Sequence, residues 1–130
     1  MLPWLCSCPE QGRPVPPAKL TEQLAQGKIL YEQSCAQCHY DGAGNPVAPD
    51  LRGSSVLAEP PQALARIILD GRQGVSMKDG KKLNGIMPPQ AYLRDEEIAA
   101  VVVYVREAFG DRRDALSPAA VAEIRAGLKD

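Results

Sequence analysis

The chain has 130 residues, 24% of them charged and 45% hydrophobic, the balance of one globular domain rather than a disordered tail or a membrane bundle. Fifteen Lys and Arg against sixteen Asp and Glu give a net charge of −1, and without an overall positive field the chain is not built for nucleic acid. Aromatic residues are scarce, with one Trp, one Phe and four Tyr, so a bound apolar cofactor could supply bulk that the core lacks.

Residues 1–20 carry five prolines and no helical or strand periodicity, which reads as an extended lead-in or tether. Within it Leu5-Cys6-Ser7-Cys8 loosely resembles the end of a bacterial lipoprotein signal, with Cys8 as the lipid-bearing residue. The other reading is an exposed tail with two free thiols. From Thr21 a helix is predicted, with Leu24, Gly27, Ile29, Leu30 and Tyr31 at helical spacing, running into Cys35-Ala36-Gln37-Cys38-His39. Residues 40–60 are rich in Gly, Pro, Ser and Asp and read as a long irregular loop, a length that suits wrapping a ligand. Pro60-Pro61 open a helix through Leu64, Ile67 and Ile68 that Gly71 ends. Residues 71–90 read as a second irregular stretch. A strong helix follows from Asp95, with Ile98, Val101, Val102, Val105 and Phe109 on one face, an acidic first turn and Gly110 as its C-terminal cap. A last short helix has Ser117 as N-cap, Pro118 at its first position and Val121, Ile124 and Leu128 as an apolar stripe. No strand pattern or repeat is evident. The longest apolar stretch, Ile98 to Val105, is far below the roughly 18 residues of a membrane span.

Cys35-Ala36-Gln37-Cys38-His39 has the spacing by which two thiols add to the two vinyl groups of a haem while the adjacent histidine, the only one in the chain, reaches the iron. The spacing must be short because all three residues share one turn at one haem edge. Zinc is the chemical competitor, since Cys-x-x-Cys is also a zinc half-site, but it would have to recruit Cys6 and Cys8, or His39, across the proline-rich tail. A thioredoxin-like redox pair fits less well, because the surrounding pattern lacks βαβ alternation. A haem held by one histidine needs a sixth ligand to form a closed site, and a methionine thioether is the natural donor; Met1, Met77 and Met87 are the candidates. Met87 is preferred, because the prolines of Gly85-Ile86-Met87-Pro88-Pro89 fix the backbone after it. Met77, in Ser76-Met77-Lys78-Asp79, reads as a surface methionine.

At these residues the chain resembles the class I c-type cytochromes, over roughly residues 21–128 and in the same order. Pro49-Asp50-Leu51-Arg52-Gly53 is similar to the family's Pro-x-Leu-x-Gly, in which the proline carbonyl accepts the hydrogen bond of the ligand histidine's outer nitrogen. Met87-Pro88 resembles the family's distal ligand turn, and Gly27-x-x-x-Tyr31 with Tyr104 resembles the close crossing of its first and last helices. The segments from Asp95 to Val101, Tyr104 to Arg106, Phe109-Gly110, Ser117-Pro118 and Val121 to Arg125 are similar to cytochrome subunits of bacterial periplasmic dehydrogenases. Asp111 and Arg94 depart from that pattern, where Asn and a Ser or Thr cap are usual. The resemblance implies an all-α, small cytochrome c fold, with residues 21–130 wrapped around one covalently bound haem c. It implies a cofactor-binding set of Cys35, Cys38, His39, Pro49, Leu51, Arg52, Ile67, Ile68, Leu83, Ile86 and Met87, with His39 and Met87 on the iron.

Iron closed by two ligands favours outer-sphere electron transfer over catalysis, so a one-electron carrier rather than an enzyme is expected, with a positive potential set by the thioether and an apolar wall of Ile67, Ile68, Leu83 and Ile86. The expected partners are redox proteins: a dehydrogenase, an oxidase or another cytochrome. Arg72, Lys78, Lys81 and Lys82 against Asp79 form a local positive cluster that could steer an acidic partner. Covalent haem attachment in bacterial members of the family takes place outside the cytoplasm, which implies a periplasmic protein, freely soluble or held by Cys8. The alternatives are a haem sensor or peroxidase-like protein with a dissociable Met ligand, and a zinc-stabilised interaction module.

Overall fold

The computed structural model describes residues 17–39, 51–52, 54–78 and 81–128, with the side chains of all but 17–18, 37–38, 73–78 and 81–86. Met1, Cys6, Cys8 and Pro49 lie outside the described residues. In chain order the elements are α1 (Pro17–Ser34), a single turn α2 (Ala36–His39), a 3-10 turn (Ser55–Ala58), α3 (Pro61–Asp70), β1 (Arg72–Lys78), β2 (Lys81–Met87), α4 (Asp95–Gly110) and α5 (Pro118–Leu128). The all-α expectation holds for the body of the fold, to which the two strands add a hairpin.

α1 begins at Pro17, four residues ahead of the expected Thr21. Proline is pre-set for a first helical turn, which leaves Thr21 and Glu22 in the second. α4 is the central element, packed against α1, α3 and α5. Residues 98–103 are therefore buried on every side, where the apolar pattern had suggested a single face. The approach of α1 to α4 is set by Gly27: a Cβ there would lie 2.7 Å from the Ala100 carbonyl carbon and 2.7 Å from Tyr104 Cβ. Below that crossing Tyr31, Tyr104 and Phe109 pack ring against ring, with centroids 5.3 to 6.1 Å apart.

α3 runs between its expected limits, from Pro60 as N-cap to Gly71, whose φ of 75° suits glycine and whose N–H closes on the Ile67 carbonyl at 2.8 Å. α4 ends one residue later than expected. Asp111, with φ of 55°, takes the left-handed cap, while Gly110 is the last helical residue and lies where a Cβ would come within 2.8 Å of Leu57 Cβ. α5 begins as predicted, with the Ser117 hydroxyl accepting from the Ala120 N–H at 3.2 Å.

The expectation of irregular structure over residues 71–90 is corrected. The segment forms an antiparallel hairpin in register from Arg72↔Met87 to Lys78↔Lys81. Glycines, lysines and the lack of period-2 alternation hide the strands. The overlooked signal is Asp79-Gly80, a pair suited to a two-residue hairpin loop.

Buried Arg106, 3% exposed, ties the end of α4 to its surroundings. It donates to the Asp114 carboxylate at 2.9 Å and to the Glu59 carbonyl at 3.1 Å.

Candidate functional site

The cysteine–histidine segment emerges directly from the end of α1. The Tyr31 carbonyl accepts from the Cys35 N–H at 2.8 Å and the Cys35 carbonyl accepts from the His39 N–H at 3.0 Å. These two bonds span the turn at Cys35 that separates α1 from α2, so Cys35 and His39, four residues apart, share one flank. Cys35 and Ala36 pack against the buried core. His39 is half-buried with its Nδ1 buried, so its accessible surface lies elsewhere on the residue. The Cys38 side chain lies outside the described residues.

Met87 is half-buried and packs against the same core cluster. It ends β2 at the base of the hairpin, opposite Arg72, whereas Met77 pairs with Lys82 five register steps away. At roughly 3.3 Å per residue the two methionines are separated by about 17 Å along the strand, so they cannot serve one position interchangeably. The main chain at Met87 is seated against the end of α3: a Cβ on Gly71 would meet the Met87 carbonyl oxygen at 2.7 Å and Pro89 N at 2.8 Å. Just beyond, the Gln90 N–H donates to the Ile68 carbonyl at 2.8 Å.

Of the remaining expected site residues, Leu51 is half-buried against the core and Arg52 is exposed, its guanidinium carbon 5.0 Å from the centre of the Phe109 ring. Ile67 is half-buried, while Ile68 is 4% exposed and covered by the protein itself. The side chains of Leu83 and Ile86 lie outside the described residues, as do those of Lys78, Lys81 and Lys82; Arg72 is exposed.

A cavity of about 370 Å3 lies beside the attachment turn, lined by Tyr31, Glu32, Ala36, Arg52, Tyr104 and Phe109, among others. Burial raises the Tyr104 hydroxyl above its usual range; the Glu32 carboxylate acts in the same direction and the Arg52 guanidinium opposes both. Tyr104 therefore stays protonated at neutral pH, and the cavity is a wall of neutral aromatic rings with Arg52 and Glu32 among its lining residues.

The Cys35 thiol and the His39 imidazole on one flank, together with a half-buried thioether on a pinned strap, fit a covalently bound haem. Among the described residues no three His, Cys, Asp or Glu side chains gather as a metal cluster.

Gly71 and Gln90 beside Met87 escaped the sequence reading as site residues, as did Arg125, which bonds to the Ala91 and Leu93 carbonyls further along the same connection. Gly71 was visible only as a helix stop. Gln90 and Arg125 act through bonds to main-chain carbonyls, which leave no local sequence signal.

Comparison with known proteins adds a family and its relatives. Residues 22–105 match the profile of the family described as "Cytochrome C oxidase, cbb3-type, subunit III". The chain is 41% identical over 95 residues to cytochrome c-552 of Thermus thermophilus, covering 68% of this chain and 72% of that protein. A second cytochrome c-552 sequence from the same species gives the same identity with 64% of its length covered. A further relative is the fructose dehydrogenase cytochrome subunit of Gluconobacter japonicus, 33% identical over 113 residues, of whose length the chain spans 23%.

Proposed function

Since this chain belongs to the c-type cytochrome family represented by that cbb3-type subunit III profile, electron transfer through a c-type haem is its activity, and we propose the site and the partners that carry it. Cys35 and Cys38 would hold one haem c covalently, and His39 and Met87 would bind its iron. The observation that supports this reading is the pair of helical hydrogen bonds on either side of Cys35, from Tyr31 to His39, which keeps Cys35 and His39 on one flank.

When bound, the haem supplies a one-electron Fe(III)/Fe(II) couple. The chain's own residues do the rest. Cys35 and Cys38 fix the group to the end of α1, so the haem cannot leave in either oxidation state. Pro49, outside the described residues, would take the role that the family's Pro-x-Leu-x-Gly pattern gives it, its carbonyl accepting the outer N–H of the ligand histidine, His39. Met87, whose main chain is seated against Gly71, would supply a thioether to the iron and so leave water and small ligands no place on it. Half-buried Ile67 would offer the haem apolar surface, which favours the less charged ferrous state.

The partners are a dehydrogenase on the donor side and an oxidase or another cytochrome on the acceptor side. One relative is named as the cytochrome subunit of a dehydrogenase, and the matching family is named for an oxidase subunit. The chain works in the periplasm, either free or held by a lipid on Cys8. No helix among the described residues is long and apolar enough to cross a membrane.

Mass spectrometry of protein matured with haem-attachment machinery tests the reading. One haem added per chain, kept under denaturing conditions and lost as a covalent adduct in the Cys35→Ala, Cys38→Ala double variant, is the expected result. A chain that leaves the same machinery without haem, or with zinc, refutes it.

A further inference from the structure

Met87 is followed by a short connection to α4, and the structure holds that connection from outside by a single guanidinium. Arg125, on the last helix, donates from Nη1 to the Ala91 carbonyl at 2.7 Å, from Nη2 to the Leu93 carbonyl at 2.6 Å and from Nε to the Asp95 carboxylate at 2.9 Å. Each of the three guanidinium nitrogens donates one bond, with both main-chain acceptors on the strap and the carboxylate at the first turn of α4. Arg125 and Asp95 are 26% and 32% exposed, so these bonds are only partly screened.

A run of hydrogen bonds carries that fixation back to Met87. The Leu93 N–H donates to the Gln90 carbonyl at 3.1 Å, and the Tyr92 hydroxyl to the Gln90 side-chain oxygen at 2.7 Å. The Gln90 side-chain amide in turn donates to the carbonyl of Pro88, the residue next to Met87, at 3.0 Å. Gln90 is also the residue whose N–H is tied to α3. The strap is thus gripped at Gln90 by α3 and at Ala91 and Leu93 by α5, and the prolines between Gln90 and Met87 leave little slack.

We propose that Arg125 is a positioning residue for the sixth ligand: by clamping residues 91–95 from α5 it holds the strap closed and keeps the Met87 thioether on the iron. The proposal rests on the assignment of Met87 as that ligand. In this arrangement the last helix, remote in sequence from the haem motif, sets how readily the closed site opens to an outside ligand.

The test uses the haem-loaded protein, reduced and mixed with carbon monoxide, comparing the unsubstituted chain with Arg125→Met, Arg125→Lys and Met87→Ala. Arg125→Met keeps the apolar stem and removes every donor. The expected result is carbon monoxide uptake about tenfold faster in Arg125→Met, with an intermediate rate in Arg125→Lys, which keeps the charge but not the fork. The weak far-red absorption of methionine–iron ligation should fall in the same order. Uptake and far-red absorption unchanged in Arg125→Met, even with a lowered melting temperature, would overturn the proposal and leave Arg125 a stability residue. If Arg125→Met does not accumulate folded, Arg125→Lys decides, since a rate equal to that of the unsubstituted protein overturns it. If Met87→Ala itself leaves uptake unchanged, the ligand assignment falls and this proposal with it. A change in Met87→Ala with none in Arg125→Met removes this proposal alone.

Discussion

Replacing Gly27 by alanine tests the physical reading of the fold at its closest point. An added Cβ would sit 2.7 Å from both the Ala100 carbonyl carbon and Tyr104 Cβ, well inside contact distance, and the obstructing atoms are mainly main chain of the central helix. α1 and α4 would have to separate, and overpacking of this kind costs about 1–3 kcal/mol. The substitution also removes a mid-helix glycine, which returns about 1 kcal/mol of helix propensity. Main-chain atoms of a buried helix cannot step aside, so the upper end of that range applies and the net expectation is a loss of about 2 kcal/mol, a drop in melting temperature of about 4–8 °C for a domain of this size. Gly127→Ala is the matched control: it lies in α5 with nothing within 4 Å of the added carbon, so only the propensity gain operates and the melting temperature should hold or rise. Thermal unfolding of the haem-loaded protein, followed by far-ultraviolet circular dichroism, reads both. A Gly27→Ala variant that melts at or above the unsubstituted protein would refute the close-crossing argument.

Gly71→Ala should weaken the site as well as the fold, because φ of 75° strains any other residue and the new Cβ meets the Met87 carbonyl; about 1–2 kcal/mol of stability should be lost together with part of the far-red band, both read on the haem-loaded protein. The Glu97 carboxyl is held below its ordinary 4.5, mainly by the Arg94 main-chain N–H that donates to it at 2.8 Å, with the Arg94 side chain assisting against the effect of burial. A depressed pKa contributes stability that is fully present above about 4.5 and lost as pH falls through the lower folded value. Glu97→Gln should therefore be less stable than the unsubstituted chain near neutrality, with the gap in denaturation midpoint closing on acidification below that range. Ser117→Ala removes the acceptor for the Ala120 N–H and should cost about 1 kcal/mol in denaturant unfolding, without altering the haem spectrum.

Local chemistry was legible in the sequence and long-range support was not. The ends of α3 follow from Pro60-Pro61 and Gly71, and the start of α4 from its acidic first turn, because a cap acts within a few residues. The attachment motif is legible for the same reason, since its chemistry is confined to five consecutive positions. The hairpin was missed because β1 and β2 satisfy each other's main chain, and pairing does not require an apolar stripe in either strand. Burial around the whole of α4 was underestimated, since one helix pattern cannot report how many neighbours will pack on it. The grip of Arg125 on Ala91, Leu93 and Asp95 spans about thirty residues of sequence and addresses carbonyls, which every residue carries.

The most direct measurement of the central claim is the visible spectrum of the haem-loaded protein, oxidised and dithionite-reduced, for the unsubstituted chain, Met87→Ala and Met77→Ala. A His39/Met87 electron carrier predicts sharp reduced bands and a weak far-red band in the oxidised form that disappears in Met87→Ala and persists in Met77→Ala. A haem-containing protein without the far-red band, or one in which Met77→Ala rather than Met87→Ala removes it, would contradict the assignment.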